Sequence, residues 1–127
     1  MRICFDLDNT LCAGKPYEFA KPLPGAAGLL KQLKGDGHTV IIYTARGMGS
    51  CSGSPGEALA KIGKVTFDQL KRWGFEFDEI YFGKPNADVY IDDKAMNVVD
   101  LDKVRERIDV LCEYEKRYAK LGALTNS

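Results

Sequence analysis

The chain has 127 residues, which is enough for one domain with its own hydrophobic core. Its 18 basic and 18 acidic side chains give a formal net charge of zero, so no broad electrostatic attraction to nucleic acid or to an anionic membrane is expected. No apolar run has the length of a membrane-spanning helix, and no signal peptide is apparent. Because the four cysteines are scattered without a paired motif, we expect free thiols and a soluble, cytoplasmic protein.

Short apolar runs alternate with stretches of helical periodicity along the chain. In chain order, the pattern predicts a strand over residues 3–5, no long helix over 11–24, a helix over 25–34, a strand over 39–43 and a flexible Gly/Ser-rich loop over 45–56. A helix over 57–73 with a break near Gly63, strands over 80–82 and 89–91, and a last helix over 101–120 follow. This alternation predicts a single domain spanning residues 1–127, with a three-layer α/β/α, Rossmann-like fold and a mostly parallel sheet.

Polar side chains follow each of the four predicted strands. In chain order they are Asp6 and Asp8, then Thr44, then Lys84, and finally Asp92 and Asp93. Because ligands bind beyond the carboxyl ends of the strands in an open parallel sheet, these side chains are expected to gather at one edge. Four acids, a hydroxyl and an ammonium are the groups needed to move a phosphoryl group with a divalent metal. Taken singly, each has an ordinary alternative as a turn, cap or surface residue.

Arg46 lies two residues beyond Thr44 and is a further candidate for substrate binding. A guanidinium there could hold a second anionic group or a sugar hydroxyl. It could equally be an ordinary surface side chain, and the sequence leaves both alternatives open.

Four motifs in order, FDLDNTL, YTAR, FGKP and YIDD, resemble the signature motifs of the haloacid dehalogenase (HAD) superfamily of phosphohydrolases. The stretch from YTAR to YIDDKA is also similar to small members associated with capsular or surface polysaccharide biosynthesis. The resemblance implies Mg²⁺-dependent hydrolysis of a phosphate ester, with Asp6 as nucleophile and Asp8 as general acid and base. Thr44 and Lys84 would then hold the phosphoryl oxygens. The implied metal-binding residues are Asp6, Asp8, Asp92 and Asp93.

No segment between the motifs is long enough for the cap domain that many HAD members carry. The site is therefore expected to be open, covered only by residues 15–19 and the 45–56 loop. We expect a small phosphorylated metabolite, such as a sugar phosphate, as substrate, with a homo-oligomer (a dimer or a tetramer) supplying the lid. The alternatives are a polynucleotide 3′-phosphatase, a phosphoprotein phosphatase and, remotely, a receiver-like signalling domain, whose phosphorylated Asp would end a strand in mid-chain.

The last predicted helix carries an apolar stripe that either docks on the sheet or serves self-association. The stripe consists of Leu101, Val104, Ile108 and Leu111, followed by Tyr118 and Leu121.

Overall fold

A computed structural model of the protein describes residues 1–97 and 100–125. The chain divides into two compact units, Met1–Ala95 and Met96–Ser127. The first contains alternating strands and helices, and the second contains one long helix among its described residues. In chain order the elements are β1 (Arg2–Phe5), β2 (Cys12–Ala13), a 3₁₀ turn (Tyr17–Phe19), β3 (Lys21–Pro22), α1 (Ala26–Gly35), β4 (Thr39–Thr44), α2 (Pro55–Arg72), β5 (Glu79–Phe82) and α3 (Leu101–Thr125).

The main sheet of the first unit has three parallel strands in the order β1-β4-β5. Helix α1 connects β1 to β4, and α2 connects β4 to β5, as parallel neighbours require. A separate antiparallel pair, β2 with β3, closes the segment between β1 and α1. The predicted mixed α/β fold with a parallel sheet and no cap domain is confirmed. All three main strands therefore direct their carboxyl ends to the same edge.

Helix α2 is continuous across Gly63, so the predicted break is wrong. Its start is fixed by Pro55 in the first turn and by Ser54, whose Oγ accepts the backbone N–H of Glu57 at 3.4 Å. A glycine inside a helix costs about 1 kcal/mol relative to alanine. Gly63 is buried, and an added Cβ would lie 3.1 Å from Cδ1 of Leu59, so the helix accepts this cost rather than breaking.

The segment between β4 and α2 is compact rather than an open loop. The N–H of Cys51 donates to the carbonyl of Gly47 at 2.9 Å, and the N–H of Gly53 donates to that of Met48 at 2.9 Å. The side chains of Met48 and Cys51 are buried. The prediction of a flexible Gly/Ser-rich segment therefore overlooked its apolar residues, which anchor its turns.

Residues 89–91 do not form the predicted strand; they have no regular secondary structure and lie outside the sheet. Ile91 is 94% exposed. The Tyr90 hydroxyl donates to the carbonyl of Pro85 and accepts the N–H of Ala87 at 3.3 Å. The segment thus bonds to its own preceding turn instead of to a neighbouring strand, which is why its apolar alternation misled the prediction.

The second unit contains α3, which begins at Leu101 as predicted and continues to Thr125. Of the predicted stripe, Val104 and Ile108 are buried, whereas Tyr118 and Leu121 lie outside the described side chains. In the described part of the chain, no helix combines the length and the apolar character needed to span a bilayer.

Candidate active site

Three strand ends bring Asp6, Thr44 and Lys84 to one edge of the sheet. Asp6 follows β1 directly, Thr44 is the last residue of β4, and Lys84 lies two residues beyond β5. The backbone N–H of Lys84 donates to the carbonyl of Thr44 at 3.1 Å, which extends the β4–β5 pairing past its last residue. The Lys84 ammonium then lies 3.6 Å from Oδ1 of Asp6. These three residues are far apart in sequence, and the parallel topology alone unites them.

Gly83 makes the turn that presents Lys84 to Asp6. Its φ of 93° lies in the left-handed region that side-chain-bearing residues rarely adopt. A Cβ at this position would also lie only 2.7 Å from Cβ of Pro55, at the start of α2. Both the backbone angle and the close contact with Pro55 therefore require glycine.

The environment of Asp6 disfavours an isolated negative charge. Burial raises the pKa of Asp6, and the nearby Asp8 carboxylate raises it further. The Lys84 ammonium and the backbone N–H of Leu7 lower this pKa without cancelling the rise. The Asp6 side chain is still 37% exposed, so it is accessible to solute. Mg²⁺ often takes only one or two protein carboxylates, and a bound cation would favour the charged form of this carboxyl group. The accessible Asp6 carboxylate therefore fits one ligand position of a magnesium ion.

The turn after Asp6 is held by backbone hydrogen bonds. The N–H of Leu11 donates to the carbonyl of Leu7 at 2.8 Å, and the N–H of Asn9, at φ 64°, donates to that of Cys12 at 2.6 Å. Asn is among the few residues that tolerate this left-handed geometry. The turn directs the Asp8 side chain toward the segment that follows β4.

Asp8 forms a forked ion pair with Arg46. Nε of Arg46 lies 2.9 Å from Oδ2 of Asp8, and Nη2 lies 3.0 Å from Oδ1. The Cys12 thiol also donates to Oδ1 at 3.5 Å. Burial and the Asp8 charge raise the pKa of Cys12 to about 12, so the thiol keeps its proton for that contact. Asp8 is thus held in one orientation, with its side chain only one quarter exposed.

Arg46 itself is fully buried, so it is not the ordinary surface side chain that was one of the two alternatives, and its contact with substrate stays a prediction. Its remaining nitrogen, Nη1, donates to Oγ1 of Thr66 at 3.1 Å and to Oε1 of Gln69 at 2.6 Å. The ring of Tyr17 lies 4.9 Å from the guanidinium carbon. Sequence reasoning missed these three partners. Thr66 and Gln69 are polar residues within the buried face of α2, and that interruption of an apolar pattern is the signal that could have identified them.

Thr44 is fully buried, and its hydroxyl accepts the backbone N–H of Arg46 at 3.1 Å. In this structure the hydroxyl therefore stabilises the turn after β4. Its predicted contact with a phosphoryl oxygen stays a prediction.

Asp92 and Asp93 lie in the exposed segment after β5, not at a strand end. Oδ1 of Asp92 accepts the N–H of Lys94 at 2.8 Å, and this bond lowers the pKa of Asp92. Across residues 1–97 and 100–125, the structure forms no group of three or more His, Cys, Asp or Glu side chains able to hold a metal. It therefore does not gather Asp92 and Asp93 with Asp6 and Asp8, and their role as metal ligands stays a prediction.

Tyr90 is an aromatic neighbour of the site that sequence reasoning assigned only to a strand. Its ring lies 4.3 Å from the Lys84 ammonium. The Lys84 side chain is only 18% exposed. The cation is thereby held between a carboxylate and an aromatic face.

No protein-family model and no curated protein matches the chain. Among solved structures, the chain is similar to a protein from Vibrio cholerae with 26% sequence identity and a TM-score of 0.69, over 84% of this chain and 97% of that one. It also matches D,D-heptose 1,7-bisphosphate phosphatase from B. bronchiseptica, complexed with magnesium and phosphate, with 19% identity and a TM-score of 0.46. That match covers 74% of this chain and 53% of the phosphatase, so the chain spans about half of its length. The Vibrio cholerae structure supports the mixed α/β fold described above.

Proposed function

We propose that the protein is a magnesium-dependent phosphatase of the HAD superfamily that hydrolyses a small phosphomonoester through an aspartyl-phosphate. The observation that carries this proposal is the Asp6 carboxylate at a sheet edge, 3.6 Å from the Lys84 ammonium and next to Asp8. A nucleophile, a cation and a second carboxylate are the minimum for phosphoryl transfer by way of a covalent intermediate. The four sequence motifs supply the family assignment.

In the first step, an Asp6 carboxylate oxygen attacks phosphorus, and the bond between phosphorus and the ester oxygen breaks. The leaving oxygen takes a proton and departs as the alcohol, with Asp8 as the proton donor. Lys84 neutralises charge on the phosphoryl oxygens as it spreads in the transition state. The product of this step is phosphorylated Asp6.

In the second step, water attacks the phosphorus of the intermediate, and the bond to the Asp6 oxygen breaks. Asp8 accepts the proton that this water loses, so the two steps restore both carboxyl groups to their starting states. Inorganic phosphate leaves. Magnesium, when bound, supplies charge neutralisation and orientation, held by the Asp6 side chain, the Asp8 main-chain carbonyl and, in the predicted set, Asp92 and Asp93.

A small substrate agrees best with the chemistry of the chain. The zero net charge gives no electrostatic attraction to polynucleotides. Because the unit Met1–Ala95 has no cap domain, a small phosphate ester would need another cover, and we propose that neighbouring subunits of a dimer or tetramer provide it.

The direct test is phosphate release from p-nitrophenyl phosphate and from a panel of sugar phosphates, with and without Mg²⁺. We expect turnover that EDTA abolishes, that is absent from Asp6→Asn and that is retained by Asp88→Asn, an exposed carboxylate used as control. A nicked duplex ending in a 3′-phosphate and a phosphopeptide are included in the panel. Preference for either would overturn the small-substrate assignment, and EDTA-resistant turnover would overturn the metal assignment.

The predicted metal ligands need a separate test because they are exposed in this structure. In Asp92→Asn, the Mg²⁺ concentration for half-maximal activity should rise about tenfold or more, whereas it should not change in Asp88→Asn. Equal Mg²⁺ dependence in the wild type and in Asp92→Asn would exclude Asp92 from the metal site.

A further inference from the structure

We infer that Arg46 is a positioning residue that fixes the Asp8 carboxylate for proton transfer, and that it does not bind substrate. This inference rests on the proposed function, in which Asp8 transfers the proton. It replaces the substrate-binding role that the sequence indicated for Arg46 and brings Thr66 and Gln69 of α2 into the reaction machinery.

The first support is the use of every donor on the guanidinium. An arginine has five N–H donors. The single Nε–H and one Nη2–H are directed to Asp8, the second Nη2–H to the Cys12 sulfur at 3.6 Å, and the two Nη1–H groups to Thr66 and Gln69. The side chain has no exposed surface. No donor is left for a phosphate or a sugar hydroxyl without breaking one of these bonds.

The second support is the way Arg46 is held from two sides. Gln69 accepts from Nη1 and, through its Nε2, donates to the main-chain carbonyl of Tyr17. The Tyr17 ring in turn packs on the guanidinium. The amide of Gln69 therefore connects α2, Arg46 and the 3₁₀ turn, which are distant in sequence. A fork fixed in this way can hold Asp8 in only one orientation.

The third support is the demand of the chemistry. A general acid and base must lie within hydrogen-bond distance of the proton it transfers, and misplacement by about 1 Å can cost a hundredfold in rate. Asp8 lies in the turn after β1, outside the main sheet, and its backbone pairs only in an isolated bridge with Cys12, so the sheet itself does not orient its side chain. The planar fork of Arg46 meets both of its oxygens, which a lysine ammonium cannot do.

The test is Arg46→Lys, which keeps the charge and loses the fork, measured beside Arg72→Lys, an exposed arginine in the last turn of α2. We expect kcat to fall about tenfold to a hundredfold in Arg46→Lys, with KM within about twofold of wild type. Arg72→Lys should leave both constants unchanged. A raised KM with an unchanged kcat would show that Arg46 binds substrate, and two unchanged constants would show that the fork does not matter. Either result overturns the inference.

A matched pair at Thr66 tests the same contact without replacing the buried arginine. Thr66→Val has nearly the same shape but removes the hydroxyl that accepts from Nη1, whereas Thr66→Ser keeps it. We expect kcat to fall about fivefold in Thr66→Val only, again without a change in KM. Equal kcat values for the two variants would contradict the role of α2, even if Arg46→Lys fails to fold.

A double-mutant cycle separates action through Asp8 from general damage to the fold. In an Asp8→Asn background, Arg46→Lys should cause no further loss of kcat, because the group that it positions is already absent. Independent, multiplying losses would overturn the inference. Wild type and Asp6→Asn are measured alongside. An inactive wild type or an active Asp6→Asn overturns the proposed function, and the inference with it. If the wild type is active and Asp6→Asn is inactive, but Arg46→Lys has an unchanged kcat, the inference is overturned and the proposed function is not.

Discussion

Replacement of Lys84 by methionine removes the cation from the proposed site while keeping a side chain of similar length. The Lys84 ammonium lies 3.6 Å from the Asp6 carboxylate, so it can also reach the oxygens of a phosphoryl group bonded to Asp6. Two unit charges about 4 Å apart interact by about 1 kcal/mol in water and by about 4 kcal/mol at an effective dielectric constant of 20.

The observed burial places Lys84 between these two limits. Its side chain is 18% exposed, and that of Asp6 is 37% exposed, so solvent screens part of the interaction. We therefore expect the loss of roughly 2–3 kcal/mol of transition-state stabilisation, or about a hundredfold lower kcat/KM.

The assay is steady-state hydrolysis of p-nitrophenyl phosphate at saturating Mg²⁺, with Lys31→Met, an exposed lysine on α1, as the matched control. Lys84→Met should retain the fold by circular dichroism, and Lys31→Met should retain full activity. A Lys84→Met enzyme within about threefold of wild type would refute the electrostatic role. An equal loss in Lys31→Met would show a nonspecific effect of removing one positive charge.

Two further predictions concern stability. Gly83→Ala should lower the unfolding midpoint more than Gly37→Ala, because the two glycines have nearly equal φ values of 93° and 90°, but only at Gly83 would a Cβ contact Pro55. Equal midpoints in thermal scans would refute the close contact. Glu79→Gln should lower the midpoint at neutral pH, and this difference should shrink as the pH falls from 4.5 toward 2, because the Arg2 guanidinium lowers the pKa of Glu79 to about 2. The stabilisation is fully present above the ordinary pKa of Glu79 and is lost as the pH falls through the folded value, so a difference that stays constant from pH 7 to pH 2 would contradict it.

The sequence predicted a strand correctly wherever an apolar run has a neighbouring strand to pair with. The runs that became β1, β4 and β5 are short, rich in β-branched or aromatic residues and followed by turn residues. Residues 89–91 show the same alternation but form no strand. Strand formation needs a neighbouring strand to share the backbone hydrogen bonds. The hydrogen bond from the Tyr90 hydroxyl to the Pro85 carbonyl cannot be predicted from the alternation of apolar residues.

The candidate site divides in the same way. Asp6 and Lys84 could be predicted to meet because parallel topology brings strand ends to one edge. The environment of Arg46 could not be predicted. It depends on two side chains of α2, about twenty residues further along the chain, and no local sequence pattern specifies how that helix packs. Its burial is the observation from which we infer that Arg46 orients an internal carboxylate rather than binding an external anion.

The most direct measurement of the central claim is the chemical identification of the phosphorylated residue. The enzyme is mixed with substrate and Mg²⁺ and quenched in acid, and any acyl phosphate is reduced with borohydride, which converts a phosphorylated aspartate to homoserine. Peptide mass spectrometry should then find homoserine at position 6 in the wild type and in no peptide of Asp6→Asn. Homoserine at position 8, or turnover without any modified aspartate, would contradict the assignment of Asp6 as the nucleophile.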